Sequence, residues 1–387
     1  MTRILCIITG GAGDGRRARR LMSTLPAEIT YYDVDKNRPR RESFQELRAL
    51  LQPGKWDLVF QEGTGIVGGL NLIRAGWRWG QPYVISSGDP IGGFFRTTRG
   101  PIYGAAFSVY ERLLYRFSSA FVGWTPYLAG LALQLGAPRT VTIEGAVDLN
   151  TFVPFAAPEQ KAVRAQYGIP EDHLVCGVVG SLTWSSSQQY CYGLELVEAI
   201  QHVQREDLTV LIVGDGDGRA VLERRIPSHL KDRVIFAGRV PAENVVEALN
   251  AMDIGFITQT LDGLGSFRLT TKLPEYLAAG LPVAMSPIPG FYDYLHDAGW
   301  ALPAAHPASL AFHKETAAWL DSLSHEEIAQ KAKRSRALAE THFDYETVIL
   351  PRFQAFMVDL LGIDPALTSE EQVMSTPRPT TVCSVSQ

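Results

Sequence analysis

The chain has 387 residues, 46% of them apolar and 20% charged, with a net charge of −5. That is the balance of a soluble globular chain with two or more domains, and no apolar run reaches the roughly 18 residues that cross a bilayer. Cys6, Cys176, Cys191 and Cys383 are scattered without a CxxC pair, which argues against a disulfide framework or a zinc site and makes a reducing cytoplasm the expected compartment.

In chain order, the start MTRILCIITGG puts a short apolar run ahead of glycines and reads as a buried first strand, not a leader. With that run at residues 4–9, strand-like runs follow at 29–34, 57–61, 83–86, 120–122 and 141–143, with helical pattern between them, as at 43–51. A turn-rich, helix-poor stretch at 148–158 interrupts this rhythm. It then restarts, with strands at 175–179, 209–213, 234–236, 254–258 and 282–285 and helices at 194–204, 242–251 and 272–279. Strand–helix alternation run through twice predicts an α/β fold: two Rossmann-like domains with parallel sheets facing a central cleft, ligands sitting at the carboxyl ends of the strands. The expected domains are residues 1–155 and 156–340. Long amphipathic helices are predicted at 325–341 and 345–361. From 363 to 387 the chain turns polar and rich in Pro, Ser and Thr, and a disordered tail is expected.

Three stretches carry candidate chemistry. ITGGAGDGRRARRL, residues 8–21, contains Gly13-x-Gly15-x-x-Ala18 after a strand. This formally matches a dinucleotide fingerprint, and Asp33 or Asp35 is available for a ribose. Arg16, Arg17, Arg19 and Arg20 crowd the helix that follows, so the preferred reading is a glycine loop lining a cleft. VLIVGDGDGRAVLE, residues 210–223, reads as strand, glycine turn and helix, with Gly214 and Gly216 at the strand's carboxyl end.

The third stretch is SFRLTTK, residues 266–272, followed by Glu275. Thr270 and Thr271 are predicted to open a helix, which makes Lys272 a cation at the positive end of a helix dipole, where an anion is preferred. Backbone N–H groups at Thr270 and Thr271, with Arg268 and Lys272 beside them, converge as a phosphate site would. Glu275 lies three residues after Lys272, on the same face, and a carboxylate there can accept hydrogen bonds from two neighbouring ribose hydroxyls. The plainer alternative is a surface Lys–Glu pair.

These stretches resemble a known family in their order. YERLLYRFSSAFVGWTPYLAGLALQLGAPRTVTIEGAVDLNTFVP (110–154), GVVGSL (177–182), IVGDGDG, RVIFAGRVP and TTKLPEYLAAGLPVAMSPIPG are similar to segments of the family-4 retaining glycosyltransferases with the GT-B fold. The resemblance implies transfer of a sugar from a nucleotide-sugar donor to a glycan, lipid-linked or small-molecule acceptor. It implies no metal, no separate cofactor and no nucleic-acid partner. It puts Glu275 on the donor ribose, Thr270, Thr271 and Lys272 at the diphosphate, and Gly180, Ser181, Gly214 and Gly216 along the nucleotide pocket. Asp89 falls near the reacting sugar, and Arg268 joins Lys272 in stabilising the leaving diphosphate. Acceptor-side loops at 10–15, 61–65 and 87–99 bring in Gly11, Gly13 and Glu62. The final helix, within 341–362, is expected to cross back to the first domain.

The sequence also departs from that family. Phe267 stands eight positions before Glu275, where the family has a second glutamate. Ser181 replaces an arginine, and the companion lysine is missing from TWSSSQQYCYG. All eight histidines fall at His173 or later, so none accompanies Asp89. The alternatives are therefore a nucleotide-sugar-binding homologue of weak or no activity and, third, an NAD-dependent Rossmann oxidoreductase.

Charge is uneven. Residues 1–155 carry 18 Lys/Arg against 12 Asp/Glu, and the remainder 18 against 29. Within 92–116, Phe94, Phe95, Tyr103, Phe107, Tyr110 and Tyr115 interleave with Arg96, Arg99, Arg112 and Arg116. Peripheral contact with an anionic membrane face is one expectation. A core helix with a mobile loop is the preferred one.

Overall fold

The computed structural model describes residues 1–363, so the expected tail lies outside the described residues from its second residue onward. Among the described residues twelve strands form two six-stranded sheets. The first holds β1 (Thr2–Ile8), β2 (Ala27–Asp33), β3 (Leu58–Glu62), β4 (Tyr83–Ser87), β5 (Ala120–Gly123) and β6 (Thr140–Thr142), in the order β2-β1-β3-β4-β5-β6. The second holds β7 (Leu174–Val179), β8 (Leu208–Val213), β9 (Val234–Gly238), β10 (Ile254–Ile257), β11 (Val283–Met285) and β12 (Trp300–Ala301), in the order β12-β11-β10-β7-β8-β9. Pairing is parallel in both sheets. In each, the strand order reverses once, at β1/β3 and at β7/β10. Connections leaving the two neighbours there part to opposite faces and leave a crevice at the carboxyl ends.

Burial explains why these strands form. β8, LTVLIV, is buried at every position, as expected of parallel strands covered on both faces. Alternate residues of the second sheet feed two separate cores: Val175, Leu211, Val213 and Ile257 in one, Cys176, Val210, Ile212 and Phe256 in the other.

By packing, the chain divides into two compact units. Among the described residues one comprises 1–85, 117–119 and 350–363; the other comprises 86–116 and 120–349. Within the first unit, the ring of Phe353 meets that of Phe60 edge-on at 5.8 Å, and Gln354 Nε2 donates to the Thr24 carbonyl at 2.9 Å. The helix Leu350–Leu361 is thereby part of that unit's core.

Several helices differ from expectation at their ends. The pattern at 345–361 breaks into a wide turn, Tyr345–Ile349, and the helix Leu350–Leu361. Pro351 is the reason: it has no N–H to give and fits only a first turn. The pattern at 242–251 splits into a tight turn, Ala242–Asn244, and the helix Val245–Asn250. Residues 91–116 hold no loop of the expected kind but two helices, Ile91–Arg99 and Pro101–Arg116, divided by Gly100 at φ 94°. Among the described residues no helix is long and apolar enough to cross a membrane.

Candidate functional site

In the second unit the loops after β7 and β10, the two strands of the reversal, enclose a recess of about 230 Å³. Ser181, Thr183 and Tyr192 line it from one side; Thr258, Gln259 and Arg268 line it from the other. Gly180 and Gly214 do not line it but lie against each other in the loops after β7 and β8. Gly214 has φ +136°, and a Cβ on it would lie 1.8 Å from the Gly180 carbonyl oxygen, so only glycine lets the two loops lie on each other. Gly216 packs in the same way against the backbone of Leu182, 2.6 Å from where its Cβ would be. These two glycines, expected on the nucleotide, hold loop against loop.

Lys272 opens the helix Lys272–Ala278. A Cβ on Gly180 would come within 2.6 Å of Lys272 Nζ, so the missing side chain at Gly180 makes the space the ammonium occupies. That ammonium is shielded from solvent and has no hydrogen-bond partner among the described residues. It lies 3.2 Å from the centroid of the Tyr192 ring, a cation–π contact. Burial lowers its pKa, and Tyr192, Glu195 and Glu275 act in the opposite sense. The hydroxyl of Thr270 is also shielded and unpartnered. Buried polar groups are almost always satisfied within a folded chain or by water, so two orphans on one short segment call for a cause.

Glu195 was not among the expected site residues. It is fully buried in the helix Leu194–Ala199 and accepts hydrogen bonds from Tyr190 Oη (2.9 Å), the Gly193 N–H (3.1 Å) and Thr258 Oγ1 (3.0 Å). Burial raises its pKa against those donors and against Lys272. The available signal was a carboxylate embedded in YGLELVEAI, where an apolar residue would serve packing better.

Glu275 is half-buried, and burial lifts its pKa to about 7, with Lys272 pulling it down. It does not line the recess, and its carboxylate has no hydrogen-bond partner among the described residues. The next residue anchors the helix: Tyr276 Oη accepts from the Val179 N–H at 2.8 Å, at the end of β7. Thr271 does not act as the expected cap; it has helical torsions and its side chain makes no capping bond. The helix is only seven residues long, so the cation, not a helix dipole, is the electrostatic feature of this segment.

Arg268 and Asp89 lie 179 residues apart and form a two-point ion pair: Nη2 to Oδ2 at 3.1 Å, and Nε to Oδ1. Desolvation disfavours the guanidinium's charge, but Asp89 outweighs it and raises the pKa. Two expected catalytic residues are therefore brought together, and the arginine expected to be free for phosphate is already engaged. Ser181 is exposed, its hydroxyl 2.7 Å from that of Thr183, and supplies no charge. Phe267 is half-buried, and its carbonyl accepts from Thr125 Oγ1 at 3.1 Å.

The first-unit residues behave differently. Gly11 caps the helix Ala12–Met22, its N–H donating to Asp14 Oδ2 at 2.8 Å. Gly13 and Gly15 lie inside that helix, where the dinucleotide fingerprint needs the first glycine in the turn before it. Asp33, expected to hold a ribose, is paired with Arg19. The NAD reading loses its glycine turn and one of its two candidate ribose acids, Asp35 being the other. Glu62 ends β3 and does not sit on the loop after it; it is buried against Arg17, Nη1 to Oε2 at 3.2 Å.

Residues 173–316 match the family described as glycosyl transferases group 1. That span contains β7 to β12 and every residue lining the recess. The chain is 29% identical over 168 residues to the 2-deoxystreptamine glucosyltransferase of Streptomyces kanamyceticus, covering 42% of this chain and 41% of that protein. It is 25% identical over 257 residues to the GDP-mannose-dependent alpha-mannosyltransferase of Mycolicibacterium smegmatis, covering 62% and 58%. The chain thus spans about half the length of the curated relatives it matches. Among solved structures, HepE of Anabaena in complex with UDP and glucose superposes with a TM-score of 0.67 at 16% identity, over 94% of this chain and 100% of that one. Sucrose-phosphate synthase of Thermosynechococcus elongatus gives 0.70 at 15%, over 94% and 100%. The fold is GT-B. In this GT-B chain the recess falls at the strand-order reversal of the second sheet.

Proposed function

We propose that this chain is a retaining, metal-independent glycosyltransferase of family 4, which moves a sugar from a nucleotide-sugar donor to a glycan, lipid-linked or small-molecule acceptor. The observation that carries this reading is the ammonium of Lys272: buried, with no acceptor among the described residues, and lying on the ring of Tyr192, which lines the recess. A diphosphate oxygen supplies the missing acceptor, and the hydroxyl of Thr270 supplies a second donor to it. As the bond from the sugar's anomeric carbon to the phosphate oxygen breaks, its electron pair goes to the diphosphate. Lys272, already in place, stabilises that growing charge without reorganising. The acceptor oxygen bonds to the anomeric carbon, and its proton passes to the departing phosphate on the same face. Glu275 accepts the two ribose hydroxyls. Those bonds favour its charged form, so binding near neutral pH releases a proton. The similarity to a glucosyltransferase and to a GDP-mannose-dependent enzyme supports the donor class. Among the described residues, the free and buried cysteines Cys6, Cys176 and Cys191 support a cytoplasmic location.

A thermal-shift series with UDP, GDP and ADP and their hexose conjugates tests the reading, because a ligand of the native state raises its melting temperature. We expect a rise with one nucleoside diphosphate and its loss in Lys272→Met. A chain whose melting temperature no nucleotide moves is not this enzyme. A second reading, binding without transfer, is favoured by the neutral Ser181 and Phe267 and by the engagement of Arg268 with Asp89. Donor binding with no release of nucleoside diphosphate selects it.

A further inference from the structure

The helices Ile91–Arg99 and Pro101–Arg116 pack on each other through a face that accounts for their aromatic residues. Phe95 and Phe107 stack at 3.5 Å between centroids, and Gly104 lets Arg96 approach so closely that a Cβ would be 2.6 Å from it. Glu111 is buried there, accepting from the N–H groups of Ile91 (2.8 Å) and Gly92 (2.9 Å) and from Tyr115 Oη (3.2 Å). The residues singled out by aromaticity in the sequence are, apart from Tyr103, wholly or partly turned inward.

The opposite face of Pro101–Arg116 is a different object. Ile102 is 82% exposed, Val109 61% and Leu113 40%. With the exposed Ala106, their spacing of four, three and four residues puts all of them in one narrow stripe. Arg112 and Arg116 run along one margin and Tyr103 stands on the other; Arg96 and Arg99 are exposed on the neighbouring helix. Glu111 is the sole acid in residues 91–116, and it is buried. The aliphatic stripe is therefore flanked by two arginines of its own helix, and residues 91–116 expose no carboxylate.

We infer that this helix lies against an anionic phospholipid surface, its aliphatic stripe at the boundary between headgroups and acyl chains and its arginines on lipid phosphates. Aliphatic side chains alone suit many partners. The one-sign cationic rim suits a surface of fixed negative charge, as amphipathic interfacial helices do. A second copy of the chain fits worse, because a two-fold contact through this stripe sets Arg112 and Arg116 against their own duplicates. Contact is peripheral. It stands on the geometry of these two helices and not on the proposed reaction.

Sedimentation of the full chain with phosphatidylglycerol vesicles, with phosphatidylcholine vesicles and without lipid tests the inference. The expected result is binding to the anionic vesicles, weakened by salt, and none to the neutral ones. Ile102→Ser with Val109→Ser and Leu113→Ser is expected to lower partitioning more than tenfold. Arg112→Ser with Arg116→Ser is expected to lower it on the order of thirty-fold, at the usual contribution of a basic residue near such a surface. The nucleoside-diphosphate thermal shift is retained in both variants, which separates this result from the catalytic reading. No sedimentation with anionic vesicles overturns the inference. So does binding that the triple substitution leaves unchanged, or lipid-free self-association that the same substitution abolishes.

Discussion

Arg17 and Lys272 are both cations shielded at the carboxyl end of a parallel sheet, at the point where strand order reverses, yet the chain provides for them in opposite ways. Arg17 meets the buried carboxylate of Glu62 within its own unit. Lys272 meets the face of Tyr192 and, among the described residues, no hydrogen-bond acceptor. A buried charge with its counter-charge in hydrogen-bonding distance is electrostatically compensated. A buried ammonium without one is tolerable when an anionic ligand completes it. The same residue class in the same kind of place is architecture in one sheet and, on the function proposed above, a binding site in the other.

The comparison breaks most visibly at Glu62. Glu62→Gln leaves Arg17 buried without its counter-charge and is expected to cost about 3–5 kcal/mol of stability in urea denaturation. Nucleoside-diphosphate affinity should stay as it was; a variant as stable as the parent would show that the pair is not structural. Next in size is a pH effect at Glu275. Its folded pKa is raised from 4.5 to about 7, so between those values the folded chain holds a proton that the unfolded chain has released. Stability from this group is therefore present below pH 4.5 and lost as pH rises to about 7, by up to roughly 3 kcal/mol at 1.4 kcal/mol per unit. Glu275→Gln should flatten that slope in denaturation curves at pH 5 and 8; parallel slopes would deny the burial that raises the pKa.

Lys272→Met sharpens the contrast from the other side. Removing an orphan charge should leave stability unchanged or raise it. Affinity for the nucleoside diphosphate, by calorimetry, should fall by about 2 kcal/mol, the scale of a charge-assisted hydrogen bond. The reverse pattern would make Lys272 structural, like Arg17. The smallest effect is expected at Asp89. Its pair with Arg268 is partly exposed, so Asp89→Asn should change stability by less than about 1 kcal/mol. Nucleotide affinity should rise a few-fold as Arg268 is released to the recess. Unchanged affinity would place Arg268 out of reach of the phosphates.

Eleven of the strands were legible, the central ones because parallel strands covered on both faces read as unbroken apolar runs between turn residues, as LTVLIV does. β12, Trp300–Ala301, is too short to show any period. Helix ends were harder. Pro351 sits where only a first turn tolerates it, and that limit was visible in the sequence, but amphipathic spacing masked it. Within the candidate site, Lys272 and Glu275 stood out because their charges conflict with the apolar element around them. Glu195 did not, since an acid in a short helix that also carries Glu198 looks like a surface residue until its burial is known. Residues 92–116 mark the same limit: aromatic content was visible, but which side of the helix it occupied was not.

The order of apolar runs, glycines and prolines determined by itself that this chain builds two parallel sheets with a loop rich in candidate ligands after β10, because those preferences act over a few neighbouring residues. Only tertiary structure decided that Arg268 is taken by Asp89, that Lys272 lies over Tyr192 near Glu195 with no acceptor, and that Arg17 is closed by Glu62. Those outcomes depend on which distant side chains share a desolvated space, where one acceptor within hydrogen-bonding distance separates a satisfied charge from an unsatisfied one.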